Sequence, residues 1–232
     1  MHKKLHIVMM KKYELTDETA TYAGRLLHRI RAVQSFSDVK AGDRGGWVES
    51  ERNLAHSGNA WVYDEVVVMD EARVYEDATV LDGATVRGHA LVFGRARVYE
   101  RADIWDCAQV SGDSHVCGNA KVSGDARITC RATVGGSAQV SDYAYIRGDS
   151  HVSDCAHIMG HADIGERAAV LGHAVVRDEA IVRGDARVHG VACVEGRAYI
   201  CGDAVVAVSS DYCVLKNCWS SGRWIRKSPA EE

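Results

Sequence analysis

A six-residue phrase repeats without interruption over residues 60–203, and it constrains the fold more than any other feature of the chain. The phrase reads small–x–Val/Ile–x–turn–turn, and it occurs 24 times with no insertion or deletion. Its third residue is Val or Ile in all 24 copies, and its first is Ala in 21, the exceptions being Val66, Ser114 and Ser150. So strict a period indicates a repeat architecture.

The two apolar positions of each hexad predict a short strand with one buried face. In an extended strand, residues two positions apart point to the same side, so the small residue and the Val/Ile both face inward. The second and fourth residues are chemically mixed and face outward. The last two residues, commonly Gly-Asp, Gly-His or Asp-Glu, predict a corner, because Gly and Asp tolerate the positive φ that a sharp corner requires. A helix is excluded, since a period of six does not match 3.6 residues per turn.

A strand this short is stable only when it stacks on copies of itself, as in a solenoid. Three hexads closing a triangle would give 18 residues per coil, so the 24 hexads predict about eight coils. Such a stack would be about 38 Å long at the usual strand spacing. Val122, Val140 and Ile158 hold the same position in three successive coils and should lie in one inward column. The periodicity alone leaves the number of sides and the hand of the coil open.

The phrase resembles the hexapeptide repeat of left-handed parallel β-helices. That family's usual pattern has Gly directly after the aliphatic residue, whereas Gly here comes one residue later, as in Ala120-Lys121-Val122-Ser123-Gly124. The resemblance implies an all-β fold, namely a single-stranded, left-handed parallel β-helix with a triangular cross-section. The left hand would be an exception to the usual right-handed crossover.

The segments that flank the repeats are predicted to cap the solenoid. We expect residues 1–53 to form an N-terminal extension and β-rich cap, residues 54–206 the solenoid, and residues 207–232 a C-terminal cap and tail. Residues 12–15 and 26–33 are strand-like and predict a short hairpin over the first coil, and a helix over residues 19–33 is the competing prediction. Trp47 is the predicted lid on the first coil, since an uncovered end would invite aggregation.

A second resemblance rests on four elements within residues 37–64. They are Asp-Val-Lys-Ala-Gly from Asp38, Gly-Gly-Trp-Val-Glu from Gly45, Asn53-Leu54, and Ala-Trp-Val-Tyr-Asp from Ala60. Together they resemble the segment that leads into the repeats of the YdcK-like β-solenoid proteins of enteric bacteria and their phages. The likeness covers the N-terminal cap and continues through the repeats. It implies a structural class, and it implies no particular activity.

Charge and cysteine usage narrow the partners and the compartment. The chain has 232 residues and a formal net charge of −4, which favours neither nucleic acid nor a membrane surface as a partner. Its eight cysteines form no Cys-x-x-Cys pair, so we expect free thiols in a reducing cytoplasm, with Cys117, Cys193 and Cys201 at outward strand positions. Residues 1–10 lack an apolar run long enough for a signal peptide or a membrane span.

The motif Gly-Asp-Ser-His-Val occurs twice, with its serine at Ser114 and at Ser150, and suggests a hydrolase triad. The hexad argues against one, because each serine takes the inward position while His115 and His151 take outward positions. His157 and His161 lack a third ligand, so no metal site is predicted. We predict no catalytic residue, no cofactor-binding residue and no metal ligand.

Hexapeptide-repeat acyltransferases resemble this chain in their coils and give the enzymatic alternative. They typically carry a catalytic histidine and a loop that breaks the repeats. The coils here carry outward or corner histidines without any inserted loop, so a cleft for an acyl acceptor could form only between subunits. These histidines are His89, His115, His151, His157, His161, His173 and His189.

Every third hexad, starting with residues 72–77, contributes to one predicted face, which we call the Arg/Tyr face. Arginine and aromatic side chains dominate it, Asp163 is its one outward strand acid, and Phe93, Tyr145 and Ile181 are expected to be exposed. Such side chains on a flat sheet suit a protein partner. The candidate partner-binding residues are Arg73, Tyr75, Phe93, Arg127, Tyr145, Arg147, Ile181, Arg183 and Tyr199.

Three hypotheses about function follow from these patterns. The first is a non-catalytic solenoid that acts as a rigid protein-binding or scaffolding module, encoded by a phage or prophage and acting on a host component. The second is an acyltransferase-like enzyme with a site between subunits. The third is a structural element that assembles with itself. The partner is therefore a protein or a second copy of the chain, with neither membrane nor nucleic acid involved.

Overall fold

Parallel strands stack into a β-solenoid of about nine turns, with coils of about 18 residues. The computed structural model describes residues 11–216, 219–221 and 224–226, and the predictions made for residues 1–10 lie outside that range. Among the described residues the fold is all-β, with one short 3₁₀ helix and no α-helix. The predicted architecture is thus confirmed, and the left hand of the coil stays a prediction.

Within the described residues, three strands and the 3₁₀ helix come before the first hexad, and 26 strands follow. The N-terminal elements are β1 (Tyr13–Tyr22), β2 (Arg25–Ala32), β3 (Arg44–Val48) and η1 (Glu51–Asn53). The first face holds β4 (Trp61–Val62), β7 (Thr79–Val80), β10 (Arg97–Val98), β13 (His115–Val116), β16 (Thr133–Val134), β19 (His151–Val152) and β22 (Ala169–Val170). The second face holds β5 (Val67–Val68), β8 (Thr85–Val86), β11 (Asp103–Ile104), β14 (Lys121–Val122), β17 (Gln139–Val140), β20 (His157–Ile158) and β23 (Val175–Val176).

The Arg/Tyr face is a separate nine-stranded parallel sheet. Its strands are β6 (Arg73–Val74), β9 (Leu91–Val92), β12 (Gln109–Val110), β15 (Arg127–Ile128), β18 (Tyr145–Ile146), β21 (Asp163–Ile164), β24 (Ile181–Val182), β26 (Tyr199–Cys201) and β28 (Trp219–Ser221). The remaining strands, β25 (Arg187–Glu195), β27 (Val205–Lys216) and β29 (Trp224–Arg226), continue the pairing of the first and second faces.

The interior consists of columns of aliphatic and small side chains. All 24 Val or Ile residues at the third hexad position are 0% exposed. Val122 pairs with Val140, and Val140 pairs with Ile158, so each lies beside the equivalent residue of the next coil. The predicted register is confirmed, and each buried Val or Ile contributes roughly 1.5–3 kcal/mol before the loss of entropy is subtracted.

The corners have one backbone conformation throughout. The fifth residue of all 24 hexads has a positive φ, between 45° and 74°. Thirteen of these residues are glycine and ten are Asp or Glu, with Cys130 as the remaining one. Glycine adopts this conformation without steric cost, which confirms the reason given for its place in the phrase.

Asp and Glu, unlike glycine, have a steric cost in this conformation, and hydrogen bonds at the corners offset part of it. In eight of these acidic residues the carboxylate accepts from the backbone N–H of the corner residue one coil further on, as Asp142 does from Gly160 at 2.9 Å. The other pairs, acceptor first, are Asp70 with Gly88, Glu76 with Gly94, Asp82 with Glu100, Glu100 with Gly118, Asp106 with Gly124, Asp154 with Gly172 and Asp178 with Gly196. In the corner column from Asp70 to Gly196, Asp and Gly alternate at every step.

The N-terminal hairpin caps the first coil. β1 and β2 pair antiparallel around a two-residue turn, Ala23 and Gly24, both with positive φ. Tyr13 and Ile30 are fully buried in the core, and the Tyr13 hydroxyl donates to the Leu54 carbonyl at 2.8 Å. The hairpin prediction is confirmed. The helix over residues 19–33 was wrong, because the tight turn at Gly24 brings that segment back along β1.

Trp61, rather than Trp47, packs beneath the cap. Trp61 is 1% exposed, and its ring meets Phe36 edge-on at 5.4 Å. Trp47 is half-buried on the outer surface, where its Nε1 donates to Glu65 and the Arg29 guanidinium lies 4.1 Å from its ring centre. The prediction of Trp47 as the lid was wrong, since the cap folds over the outward slot of the first face that Trp61 occupies.

The coils differ in length at the two ends of the stack. Trp47 pairs with Val67 and Ala192 pairs with Cys213, and both steps along the chain are longer than the regular step from Lys121 to Gln139. Segments outside the strict repeats therefore also stack in coils, which is why the turns number about nine rather than eight. β27 crosses the boundary at residue 206, and the division into three segments stays a prediction.

Lys12 is a buried cation beneath the cap, at 1% exposure. Its Nζ donates to the Ala60 carbonyl at 2.6 Å and lies 5.0 Å from the centre of the Phe36 ring. Burial lowers its pKa to about 8, although Asp77 opposes the shift. The unfolded chain therefore binds more protons than the folded chain between pH 8 and the ordinary lysine pKa of 10.5.

From that difference we expect the free energy of unfolding to rise with pH in this window. The rise from about pH 8 to about pH 9.5 should be about 1.5 kcal/mol in the wild type and should vanish in Lys12→Met. Urea unfolding at the two pH values measures it below the range in which tyrosines ionise. Parallel pH profiles for the two proteins would contradict the prediction.

Candidate partner-binding face

All nine predicted candidate residues lie on the Arg/Tyr face, in two outward columns. In the first column every residue pairs with the equivalent residue of the next coil: Arg73, Leu91, Gln109, Arg127, Tyr145, Asp163, Ile181 and Tyr199. The second column lies two residues further along each hexad and contains Tyr75, Phe93, Arg147 and Arg183. Their common face is an observation, and their role in binding stays a prediction.

The apolar side chains of this face are less exposed than the sequence indicated. Tyr145 is 37% exposed, but Phe93 and Ile181 are half-buried, which corrects the expectation for those two. The ring of Phe93 stacks on Tyr75 with centroids 5.0 Å apart and planes 6° apart, so each ring covers the other. Neighbours one coil away thus remove apolar surface that the pattern alone leaves open.

Asp163 neutralises part of the positive charge of the face. Its carboxylate forms ion pairs with Arg147 at 3.1 Å and with Arg183 at 2.6 Å, and so bridges the coils on either side. Arg73 and Arg127 are exposed, and neither has a carboxylate within ion-pair distance among the described side chains. The cationic character of the face therefore rests on these two arginines.

A ladder of alternating charge runs along the corner that borders this face. From Asp77 to Asp185 the sixth hexad residues alternate between acid and arginine, and three arginines each bind the aspartate one coil on, at 2.5–2.6 Å. These pairs are Arg95–Asp113, Arg131–Asp149 and Arg167–Asp185, and their arginine side chains are 69–73% exposed. Hydrogen bonds from the arginines hold the pKa of Asp113 and of Asp185 below the ordinary value. The ladder was not among the predicted features, although the alternation of Asp and Arg at every third hexad is present in the sequence.

The first face carries the serine and histidine pairs. Ser114 is fully buried and its hydroxyl donates to the Ser111 carbonyl at 2.7 Å, whereas His115 lies outside and meets Tyr99 edge-on at 6.1 Å. The predicted orientation, with the serine inward and the histidine outward, is observed at this pair. His115 also lines a cleft of 230 Å³ with Leu81, Asp82, Arg97 and Tyr99. In the described part of the chain, no three metal-ligating side chains converge.

Six cysteines are free thiols: Cys107, Cys117, Cys130, Cys155, Cys193 and Cys201. Cys193 holds the predicted outward strand position, where it pairs with Val175, and it is nevertheless fully buried. The side chains of Cys213 and Cys218 lie outside the described set. No helix within the described residues has the length and hydrophobicity needed to cross a bilayer.

Part of the chain is similar to a curated protein. Over 64 residues the chain is 39% identical to the protein named uncharacterized acetyltransferase YdcK from Escherichia coli strain K12. The chain is similar to YdcK. This match and the β-solenoid together confirm the resemblance to YdcK-like hexapeptide-repeat proteins.

The match to YdcK is short in relation to both proteins. It covers 24% of this chain and 20% of YdcK. No family model matches the chain. The word acetyltransferase in that name therefore describes YdcK and is not transferred to this chain.

Proposed function

We propose that the chain is a rigid, non-catalytic protein-binding module whose binding surface is the Arg/Tyr face. One observation supports the proposal most: two outward columns, in which arginine, aromatic and aliphatic side chains predominate, follow one parallel sheet over eight consecutive coils. Tyrosine and arginine are the residues that most often dominate binding energy at protein interfaces. The short strands leave no flexible loop in this surface, so binding needs little ordering.

The wider form of the proposal concerns where the module works. A cytoplasmic protein of phage or prophage origin that engages a host component fits a rigid surface without an enclosed site. The free thiols in the described region are compatible with a reducing compartment. Scaffolding of other proteins is the same activity with more than one partner.

A double change in the centre of the face tests the proposal. We expect Arg127→Glu with Tyr145→Ala to reduce recovery of the bound protein at least tenfold, since both side chains are exposed and lie on adjacent strands. Arg147 is left unchanged because its ion pair with Asp163 supports the fold. The measurement is quantitative mass spectrometry of proteins cross-linked to the chain in its host.

The matched control is Lys121→Glu with Gln139→Ala. Those two residues pair in the same way on the second face, are also exposed, and undergo the same change of charge. Circular dichroism should show unchanged melting for both double variants. Equal recovery of bound proteins by the two variants would refute the assignment of the face.

An acyl transferase is the second candidate, favoured by the name of YdcK and by the cleft at His115. In that cleft Arg97 could bind an anionic acyl donor, and His115 could act as the general base. Incubation with acetyl-CoA and a panel of amine and hydroxyl acceptors tests it alongside the face variant. Acetyl transfer that His115→Ala abolishes and the face variant retains would favour the enzyme over the binding module.

A further inference from the structure

The outward column of the Arg/Tyr face is complementary to itself when it is reversed. Its lower half presents Arg73, Leu91, Gln109 and Arg127, and its upper half presents Tyr145, Asp163, Ile181 and Tyr199, in that order. Pairing the halves from the centre outward joins Arg127 with Tyr145, Gln109 with Asp163, Leu91 with Ile181, and Arg73 with Tyr199. Each pair is a favourable contact between unlike or apolar groups.

We propose that the face binds a second copy of this chain in antiparallel orientation. This inference rests on the proposed function and identifies the partner of the same surface. A two-fold axis along the strand direction, between hexads 126–131 and 144–149, turns each column onto itself in reverse. Arg127 then lies opposite Tyr145 of the second copy, and Leu91 opposite Ile181 of the second copy. Every contact occurs twice, as in any isologous interface.

The second outward column is compatible with the same axis. Phe93 would lie opposite Arg183 of the second copy, where a guanidinium can pack on the stacked rings of Tyr75 and Phe93. Ser111 would lie opposite Gly165 of the second copy. Gly165 is buried with the side chains of Arg147 and Asp163 beside it, so those two side chains form the surface that Ser111 would meet.

The charge ladder supplies independent support, since none of its residues belongs to the two columns. Under the same axis Arg131 lies opposite Asp149 of the second copy, Asp113 opposite Arg167, and Arg95 opposite Asp185. Like charges meet only at the outermost step, Asp77 against Asp203. The ion pairs within one chain are highly exposed and therefore add little to its stability. The ladder is better explained by pairing between two chains.

Registers displaced by one coil are opposed by the same side chains. Displacing one copy by a single coil moves the axis onto a strand, where Arg127 would meet Arg127 and Arg131 would meet Arg131, or Asp149 would meet Asp149. In a parallel arrangement the strands of the second copy run in the opposite direction, so each column faces a different column and the pairs described above are lost. Displacement by two coils brings opposite charges together again in the ladder but gives up the contacts of two coils, so repulsion rejects the odd displacements and the lost overlap disfavours the even ones.

The available area predicts a dimer of moderate affinity. Eight coils at the usual strand spacing, each with a four-residue strand, offer about 500 Å² per copy and about 1,000 Å² in total. That total is close to the lower limit for a specific interface. Dimerisation should therefore depend on protein concentration in the micromolar range.

Analytical ultracentrifugation of the full chain from about 1 µM to about 1 mM tests the proposal. The wild type should sediment as a dimer that dissociates on dilution. Arg131→Asp alone, and Asp149→Arg alone, should each dimerise at least tenfold more weakly, since each places like charges across the axis twice. Equimolar mixing of these two variants should restore dimers, because opposite charges then face each other between chains.

The mixing step separates assembly from folding. No repair within one chain can arise from mixing, so restored dimers can come only from contacts between copies. A wild type that is monomeric throughout the range, a trimer, or a mixture no better than its components would each overturn the inference.

The double variant Arg127→Glu with Tyr145→Ala distinguishes this failure from failure of the proposed function. If the wild type is monomeric and that variant still loses its bound proteins, the face binds a different protein and only the inference fails. If the variant dimerises like the wild type and also keeps its bound proteins, the face itself was assigned wrongly.

Discussion

Val140→Asp is expected to unfold the solenoid under conditions where the wild type is stable. Val140 is 0% exposed and pairs with Val122 and Ile158 within an inward column. A carboxylate at this position would lack a partner and a path to water, so it must either stay charged in an apolar interior or take up a proton. We expect a loss of at least about 4 kcal/mol in the free energy of unfolding.

Gln139→Asp is the matched control for that experiment. Gln139 is the preceding residue, is exposed, and lies between Lys121 and His157 on the second face. The same carboxylate there should change stability by no more than about 0.5 kcal/mol. Thermal and urea unfolding followed by circular dichroism compares the two variants, and equal midpoints would refute the alternation of inward and outward residues.

The second large effect is expected at a corner, from Gly124→Val. Gly124 has a φ of 65°, and a Cβ atom there would lie 2.7 Å from the backbone nitrogen of Asp142. A β-branched residue in this conformation is strained, and the opposing atom belongs to the backbone of the next coil, so relief requires the coils to separate. We expect a loss of about 3 kcal/mol or more.

Gly83→Val provides the comparison for the corner variant. Gly83 also lies at a corner, but its φ is not positive, and the nearest atom to an added Cβ is the Glu100 carbonyl oxygen at 3.5 Å. The change should cost less than about 1 kcal/mol. Urea midpoints that place the two variants at equal stability would show that the fifth hexad position is not the constrained one.

Local rules predicted most of the fold because every hexad has the same pattern of inward and outward residues followed by the same kind of corner. The inward column containing Val140 and the glycine corners follow from alternation and turn chemistry that operate within a single hexad. The burial of Trp61 escaped prediction because it comes from Tyr13 and Phe36, in a segment that folds over an outward slot of the coil. Such burial depends on the path of the flanking chain, which the repeat period does not determine.

The candidate face was predictable as a set of residues, but its charge and exposure were not. A coil of three hexads places Arg127 beside Tyr145, so the columns follow from counting along the sequence. The two ion pairs of Asp163 depend on how far long arginine side chains reach across coils. The stacking of Phe93 on Tyr75 likewise depends on side-chain rotation that the pattern leaves free.

Because Asp and Gly alternate along one corner column, the repeating unit of the solenoid along its axis is two coils. Removing or duplicating two whole coils keeps every aspartate of that column beneath a glycine N–H and every arginine of the ladder beside an aspartate. A change of one coil would place aspartate on aspartate in the column and arginine on arginine in the ladder. In evolution the solenoid can therefore grow or shrink most readily by two coils at a time.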